Sequence, residues 1–278
     1  MRNNELRSGA RPSTESDAPK MPNPMDFITP TQFVELPSEG KLYPVGHPLH
    51  NQETIEVRFM TAKDEDILTS RSLLKKGIAI DRLIMNLVVD EKINPSTLLV
   101  GDRYAILVAA RASAYGHFYK TNVKCPSCGE GSEHTFNLLE PKVYNGSDYE
   151  DYTVRKTDTG TYAITLPYTK LVVEVRMLTG QDEVKMVQQI QKTNKNKGDI
   201  SISDQMLTYI VSVNGYKETD VITHVVKNIT ATESRYIRNA YKSITPDLKV
   251  SGDFECLSCG HEQELEVPFG ADFFWPDR

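Results

Sequence analysis

The sequence predicts an α+β fold made of two related units, an internal duplication in which strands lead into helices and each copy ends in a pair of cysteines. Three observations carry this expectation. Val57–Glu65 reads VRFMTAKDE and Val175–Glu183 reads VRMLTGQDE, a self-similarity that marks a repeated unit. Upstream of each lies an alternating apolar stretch, IEVRF or VVEVRM, which has the period of a half-buried strand and follows LPSEGKL or LPYTKL. Downstream, DRLIMNLVV matches DQMLTYIVS and DRYAILVAARASAYG matches SRYIRNAYKSITP, and the series closes on CPSCG and CLSCG.

Taken in order, residues 1–25 carry four prolines among Ser, Asn, Arg and Glu and have almost nothing to bury, so a flexible N-terminal arm is expected there. The first α+β repeat spans 26–140 and the second 141–278, each running strand, helix, helix, helix, cysteine turn. Within the second, the polar stretch Gln191–Ser203 around Gly198 reads as a solvated loop between helices. The T-x-x-D element places a cap where strand gives way to helix. Thr61 and Thr179 start the helices, Asp64 and Asp182 reach back to them, and Glu65 and Glu183 sit at the positive helix end. These carboxylates point to different sides of a helix, which argues against a catalytic pair.

The four cysteines are Cys125 and Cys128 in CPSCG, and Cys256 and Cys259 in CLSCG. Two residues between paired cysteines let a tight turn aim both sulfurs at one ion, and Gly129 and Gly260 suit that turn. Two such knuckles complete the closed set of four soft ligands that a structural zinc ion takes, with no position left open for catalysis. The expectation is one structural Zn2+ in a zinc-ribbon-like module that joins the two units from distant stretches of chain. Four unliganded thiols, or disulfide or redox pairs, are the alternatives. His134 and His261 follow the pairs closely and read as exposed hairpin residues rather than ligands.

No phosphate-binding loop, dinucleotide fingerprint, nucleophile elbow or H-E-x-x-H element is present, so no catalytic residue and no small-molecule substrate is assigned. The net charge of -6 and the acidic surroundings of the second knuckle oppose a nucleic-acid-associated zinc ribbon, for which Lys185–Lys197 is the basic candidate. A metal-dependent hydrolase would need an open zinc site. No stretch reaches the roughly 20 apolar residues of a membrane span, and the N-terminus lacks the apolar core of a signal peptide, which points to a reducing cytoplasm.

LPSEGKLYP (Leu36–Pro44), RFMTAKDEDIL (Arg58–Leu68), GDRYAIL with ARASAYG (Gly101–Gly116), both cysteine knuckles and the FFWP of Phe273–Pro276 together carry a resemblance. Over roughly residues 33–276 the chain resembles the baseplate hub subunit family of T-even-type (T4-like) contractile-tail phages. That resemblance implies a non-enzymatic virion or assembly role, in the host cytoplasm during assembly and then in the virion tail baseplate. It implies partners among other baseplate or hub proteins, with the tail tube or tape measure protein as further candidates. An assembly chaperone absent from the mature virion is the alternative within the family. The aromatic Phe273, Phe274 and Trp275 read either as anchors for a partner's pocket or as packing on the chain's own zinc module.

Overall fold

A computed structural model describes residues 29–193, 201–267 and 271–274, and everything below concerns the compact unit that begins at Thr31. The expected N-terminal arm and Trp275 lie outside the described residues. So does most of the Gln191–Ser203 stretch, whose ends belong to the flanking helices.

The first half opens with an antiparallel pair, β1 (Thr31–Glu35) and β2 (Thr54–Arg58). Both alternate inward and outward residues, and Val34, Ile55 and Val57 form the buried side. Three helices follow: α1 (Ala62–Thr69), α2 (Arg71–Lys76) and α3 (Ala79–Leu87). Leu83, Ile84 and Leu87 recur at helical spacing on α3 and are fully buried. After a 3-10 turn at Pro95–Thr97 comes α4 (Val100–Tyr115), rich in alanine and buried on most sides, which stops at Gly116. The hairpin β3 (Phe118–Lys124) and β4 (Gly131–Asn137) carries the first knuckle at its tip.

The second half adds β5 (Lys142–Tyr144) and then β6 (Val154–Lys156), β7 (Tyr162–Thr165) and β8 (Val172–Val175). Helices α5 (Gly180–Thr193) and α6 (Ile202–Tyr209) lead to β9 (Ile210–Val213), which completes a four-stranded antiparallel sheet in the order β6-β7-β8-β9. Next come α7 (Thr219–Asn228) and α8 (Ala231–Ile244), then β10 (Asp247–Lys249), which pairs with β5. The hairpin β11 (Ser251–Glu255) and β12 (Glu262–Glu266) carries the second knuckle.

The stretches matched in sequence occupy matched places. Arg58 makes a two-pronged pair with Asp64 at 2.7 and 2.9 Å, and Arg176 does the same with Asp182 at 2.6 and 2.8 Å. Each carboxylate also accepts from the backbone N–H and the hydroxyl of its threonine, Thr61 at 2.9 and 2.8 Å and Thr179 at 3.0 Å for both. The acid therefore caps the helix, and the threonine hydroxyl donates to it. Val57 bridges Val88 in the first half, and Val175 pairs with Ile210 in the second.

A second shared device escaped sequence reasoning: a buried acid at the start of the long helix holds the Leu-Pro turn. On α4, Asp102 accepts from the backbone and hydroxyl of Ser38 at 3.0 and 2.6 Å and from the Tyr43 hydroxyl at 2.7 Å. On α8, Glu233 accepts from the N–H groups of Tyr168 and Thr169 and from the Thr169 hydroxyl, at 3.0, 2.7 and 3.0 Å. Burial drives the Asp102 carboxyl above its ordinary range, and the Ser38 and Tyr43 donors oppose that shift.

The halves meet along α4. Arg103, fully enclosed, lies 2.7 Å from Asp81 and 2.8 Å from Glu183 of α5, and donates to Pro95 O at 3.0 Å. Gly180 lets the helix start approach this guanidinium, because a Cβ there would fall 2.3 Å from Arg103 Nη1. Farther along α4, Arg111 donates to Phe273 O at 2.7 Å and lies over the rings of Tyr115 and Tyr119. Phe273 meets Tyr119 edge-on at 5.1 Å, and it and Phe274 are buried. Of the aromatic triplet, these two thus pack on the chain's own α4 and β3 rather than standing out as anchors.

Candidate metal centre

Each knuckle is set by its hairpin. The N–H of Gly129 returns to Cys125 O at 2.9 Å and that of Cys125 to Glu130 O at 2.8 Å; in the second motif Gly260 returns to Cys256 O at 2.8 Å and Cys256 to His261 O at 2.9 Å. Gly129 and Gly260 have φ of 77 and 66°, a left-handed conformation that glycine adopts without a Cβ penalty. The hairpins pack against each other below the tips. His134 of β4 stands edge-on to Phe136 at 4.6 Å and to Phe254 of β11 at 5.9 Å. His134 and His261 are half-buried rather than fully exposed, and neither belongs to the sulfur cluster.

That packing brings all four sulfurs within 4.8 Å of one another. The 3.7 Å contacts run between motifs, Cys125 to Cys259 and Cys128 to Cys256, so neither pair closes on itself. A sulfur–sulfur bond needs about 2.05 Å, and the cysteines are not disulfide-bonded. A tetrahedron with metal–sulfur bonds of about 2.3 Å has edges of about 3.8 Å, the spacing of these two contacts. Cys125 and Cys256 are buried and Cys128 and Cys259 exposed, so the cluster has an inner and an outer side.

The protonation pattern shows the same crowding. The Cys128 and Ser127 backbone N–H groups lower the Cys125 thiol to about 6 against the effect of burial. For Cys128 the Glu130 N–H acts downward, but the neighbouring Cys259 sulfur, burial and the other two cysteines outweigh it and push the thiol up to about 12. Four thiols this close cannot all ionise against one another, and a cation among them removes the conflict. Four cysteines so placed can bind a metal ion.

The acids considered as catalytic candidates are engaged elsewhere. Asp64 and Asp182 hold arginines, Glu65 accepts from the Tyr115 hydroxyl at 2.8 Å, and Glu183 holds Arg103. No helix among the described residues is long and apolar enough to cross a membrane.

Comparison with curated proteins and with solved structures finds no match. The sequence model of the family described as T4 bacteriophage base plate protein matches residues 29–275, which takes in both halves, both knuckles and the Phe273–Phe274 turn. A match over nearly the whole length places this chain, with its paired helix caps and its four-cysteine cluster, in the T4 bacteriophage base plate protein family.

Proposed function

We propose that the chain is a non-enzymatic structural or assembly component of the baseplate hub of a contractile phage tail. Its two halves are copies of one duplicated unit, and one structural Zn2+ held by Cys125, Cys128, Cys256 and Cys259 clasps their equivalent ends. The observation that carries this reading is the meeting of two knuckles, distant in the chain, at tetrahedral spacing within a baseplate-family protein. The matched cap boxes and acid-locked turns support the duplication. A set of four thiolates favours zinc or an iron–sulfur cluster, and two CxxCG knuckles favour zinc. Its partners are other baseplate or hub proteins, with the tail tube or tape measure protein as further candidates.

The metal reading is tested by elemental analysis of the purified chain and by cobalt substitution. One zinc per chain and an intense tetrahedral thiolate spectrum are expected; an iron–sulfur absorption or an exchangeable water ligand would contradict it. The hub reading is tested by tagging the chain in infected cells. Recovery with hub intermediates and in virions marks a structural part, and recovery with intermediates alone marks an assembly factor. Absence from both would sink the proposal.

A further inference from the structure

On the duplication proposed above, the two halves differ at one sheet edge. In the second half β6 lies along the outer edge of β7, with Arg155 opposite Ala163 and Thr165 N donating to Thr153 O at 2.9 Å. The counterpart of β7 in the first half, β1, is paired on one side only among the described residues. The correspondence is fixed by register: Ala163 faces Glu174 as Phe33 faces Glu56. Ala163 is 7% exposed and Phe33 is 71% exposed. The second half folds β6 back through T-D-T-G-T, whereas the residues just before β1 read F-I-T-P, with proline in place of Gly160. The glycine turn of that hairpin thus has no sequence counterpart just before β1.

We propose that the edge of β1 left unpaired among the described residues is an interface with a second copy of this chain, in which the two β1 strands pair antiparallel across a twofold axis at Phe33. Leu36 N donates to Glu53 O at 2.8 Å, so the alternation turns the N–H and C=O groups of Thr31, Phe33 and Glu35 away from β2 and toward the edge. Pairing centred on Phe33 makes it a hydrogen-bonded pair with itself and sets Thr31 opposite Glu35, so no like charges face each other. On the outer face Val89, Glu56 and Phe33 lie in one row, since Val57 bridges Val88 and Val89 N donates to Glu56 O. The twofold continues that row into the second copy and pairs the two Phe33 rings, while the two Glu56 residues lie three strand spacings apart, about 14 Å, beyond the screening length at ordinary ionic strength. Two five-residue strands bury little surface, so the dimer is weak in solution.

Sedimentation of the full chain over about 10 μM to about 1 mM tests this, with a concentration-dependent monomer–dimer equilibrium expected. Phe33→Lys sets two ammonium groups across the axis and weakens association at least tenfold, with circular dichroism and metal content unchanged. Under mild oxidation Phe33→Cys cross-links to itself, because opposed residues of a hydrogen-bonded pair lie about 5.5 Å apart at Cα. Thr31→Cys and Glu35→Cys cross-link when mixed and far less when each is alone. A wild-type chain monomeric throughout, undiminished dimerisation of Phe33→Lys, or cross-linking indifferent to these pairings would each overturn the proposal.

Discussion

Replacing Gly180 with alanine sets two effects of known size against each other. Gly180 begins α5, and its φ is not positive, so alanine there gains at most about 1 kcal/mol, the value for a helix interior. The added Cβ falls 2.3 Å from Nη1 and 2.7 Å from Cζ of Arg103. That guanidinium cannot shift without losing partners, because Asp81, Glu183 and Pro95 O hold it on three sides. Moving it breaks a buried ion pair, a loss of about 3–5 kcal/mol. Gly180→Ala should therefore destabilise by about 2–5 kcal/mol, although alanine is the better helix former. With a slope of about 3 kcal/mol/M, the urea midpoint should fall by about 1 M. The control is Arg103→Met: in that background the penalty for Gly180→Ala should largely vanish. A Gly180→Ala variant as stable as the wild type, or one whose penalty survives Arg103→Met, would refute the close-approach argument.

Cys256→Ser should abolish metal binding and increase proteolytic cleavage in both halves; unchanged metal content, or loosening of one half alone, would count against a shared site. Phe273→Ala removes an aromatic ring buried against Tyr119 and should cost about 3–5 kcal/mol, whereas Phe33→Ala, at an exposed strand position, should stay within about 0.5 kcal/mol in dilute solution; chemical denaturation compares the two. For Asp64, burial acts upward, but the Arg58 guanidinium and the two Thr61 donors prevail and hold the carboxyl at about 2, below its usual 3.8. A depressed carboxyl stabilises the fold above its ordinary pKa and loses that contribution as pH falls toward about 2. The stability gap between wild type and Asp64→Asn should therefore shrink from about pH 4 downward, and a constant gap would exclude Asp64 as the source.

The helix caps and the two cysteine knuckles were legible because the geometry of each is local. T-x-x-D puts Asp64 and Asp182 one turn from the threonines they cap, and CxxCG fixes each pair of sulfurs before the rest of the chain matters. Even there the sequence reading missed Arg58 and Arg176, whose side chains reach around the strand end to the same acids. The interior charges were not legible. Nothing in the pattern around Arg103 or Arg111 announces an enclosed arginine, since its partners, Glu183 and the Phe273 carbonyl, lie on remote segments. Asp102 and Glu233 do the same work but sit one place apart in the matched helices, so aligning GDRY with ESRY hides their equivalence. The pairing of β5 with β10 and the covering strand β6 are likewise products of tertiary contact, which short strands do not encode by period.

The convergence of the knuckles also bears on synthesis at the ribosome. Cys125 and Cys128 emerge early, yet their 3.7 Å sulfur contacts are with Cys259 and Cys256. At 5–20 residues per second the first pair waits roughly 6–26 s for the second. During that interval β3 and β4 have no second knuckle to meet, and α4 lacks the carbonyl that Arg111 later holds. The first half is thus translated before the contacts that complete it exist, and a chain interrupted between the two knuckles leaves Cys125, Cys128 and Arg111 without those partners. Closure of the cluster would act as a checkpoint that only a chain translated through the second knuckle can pass.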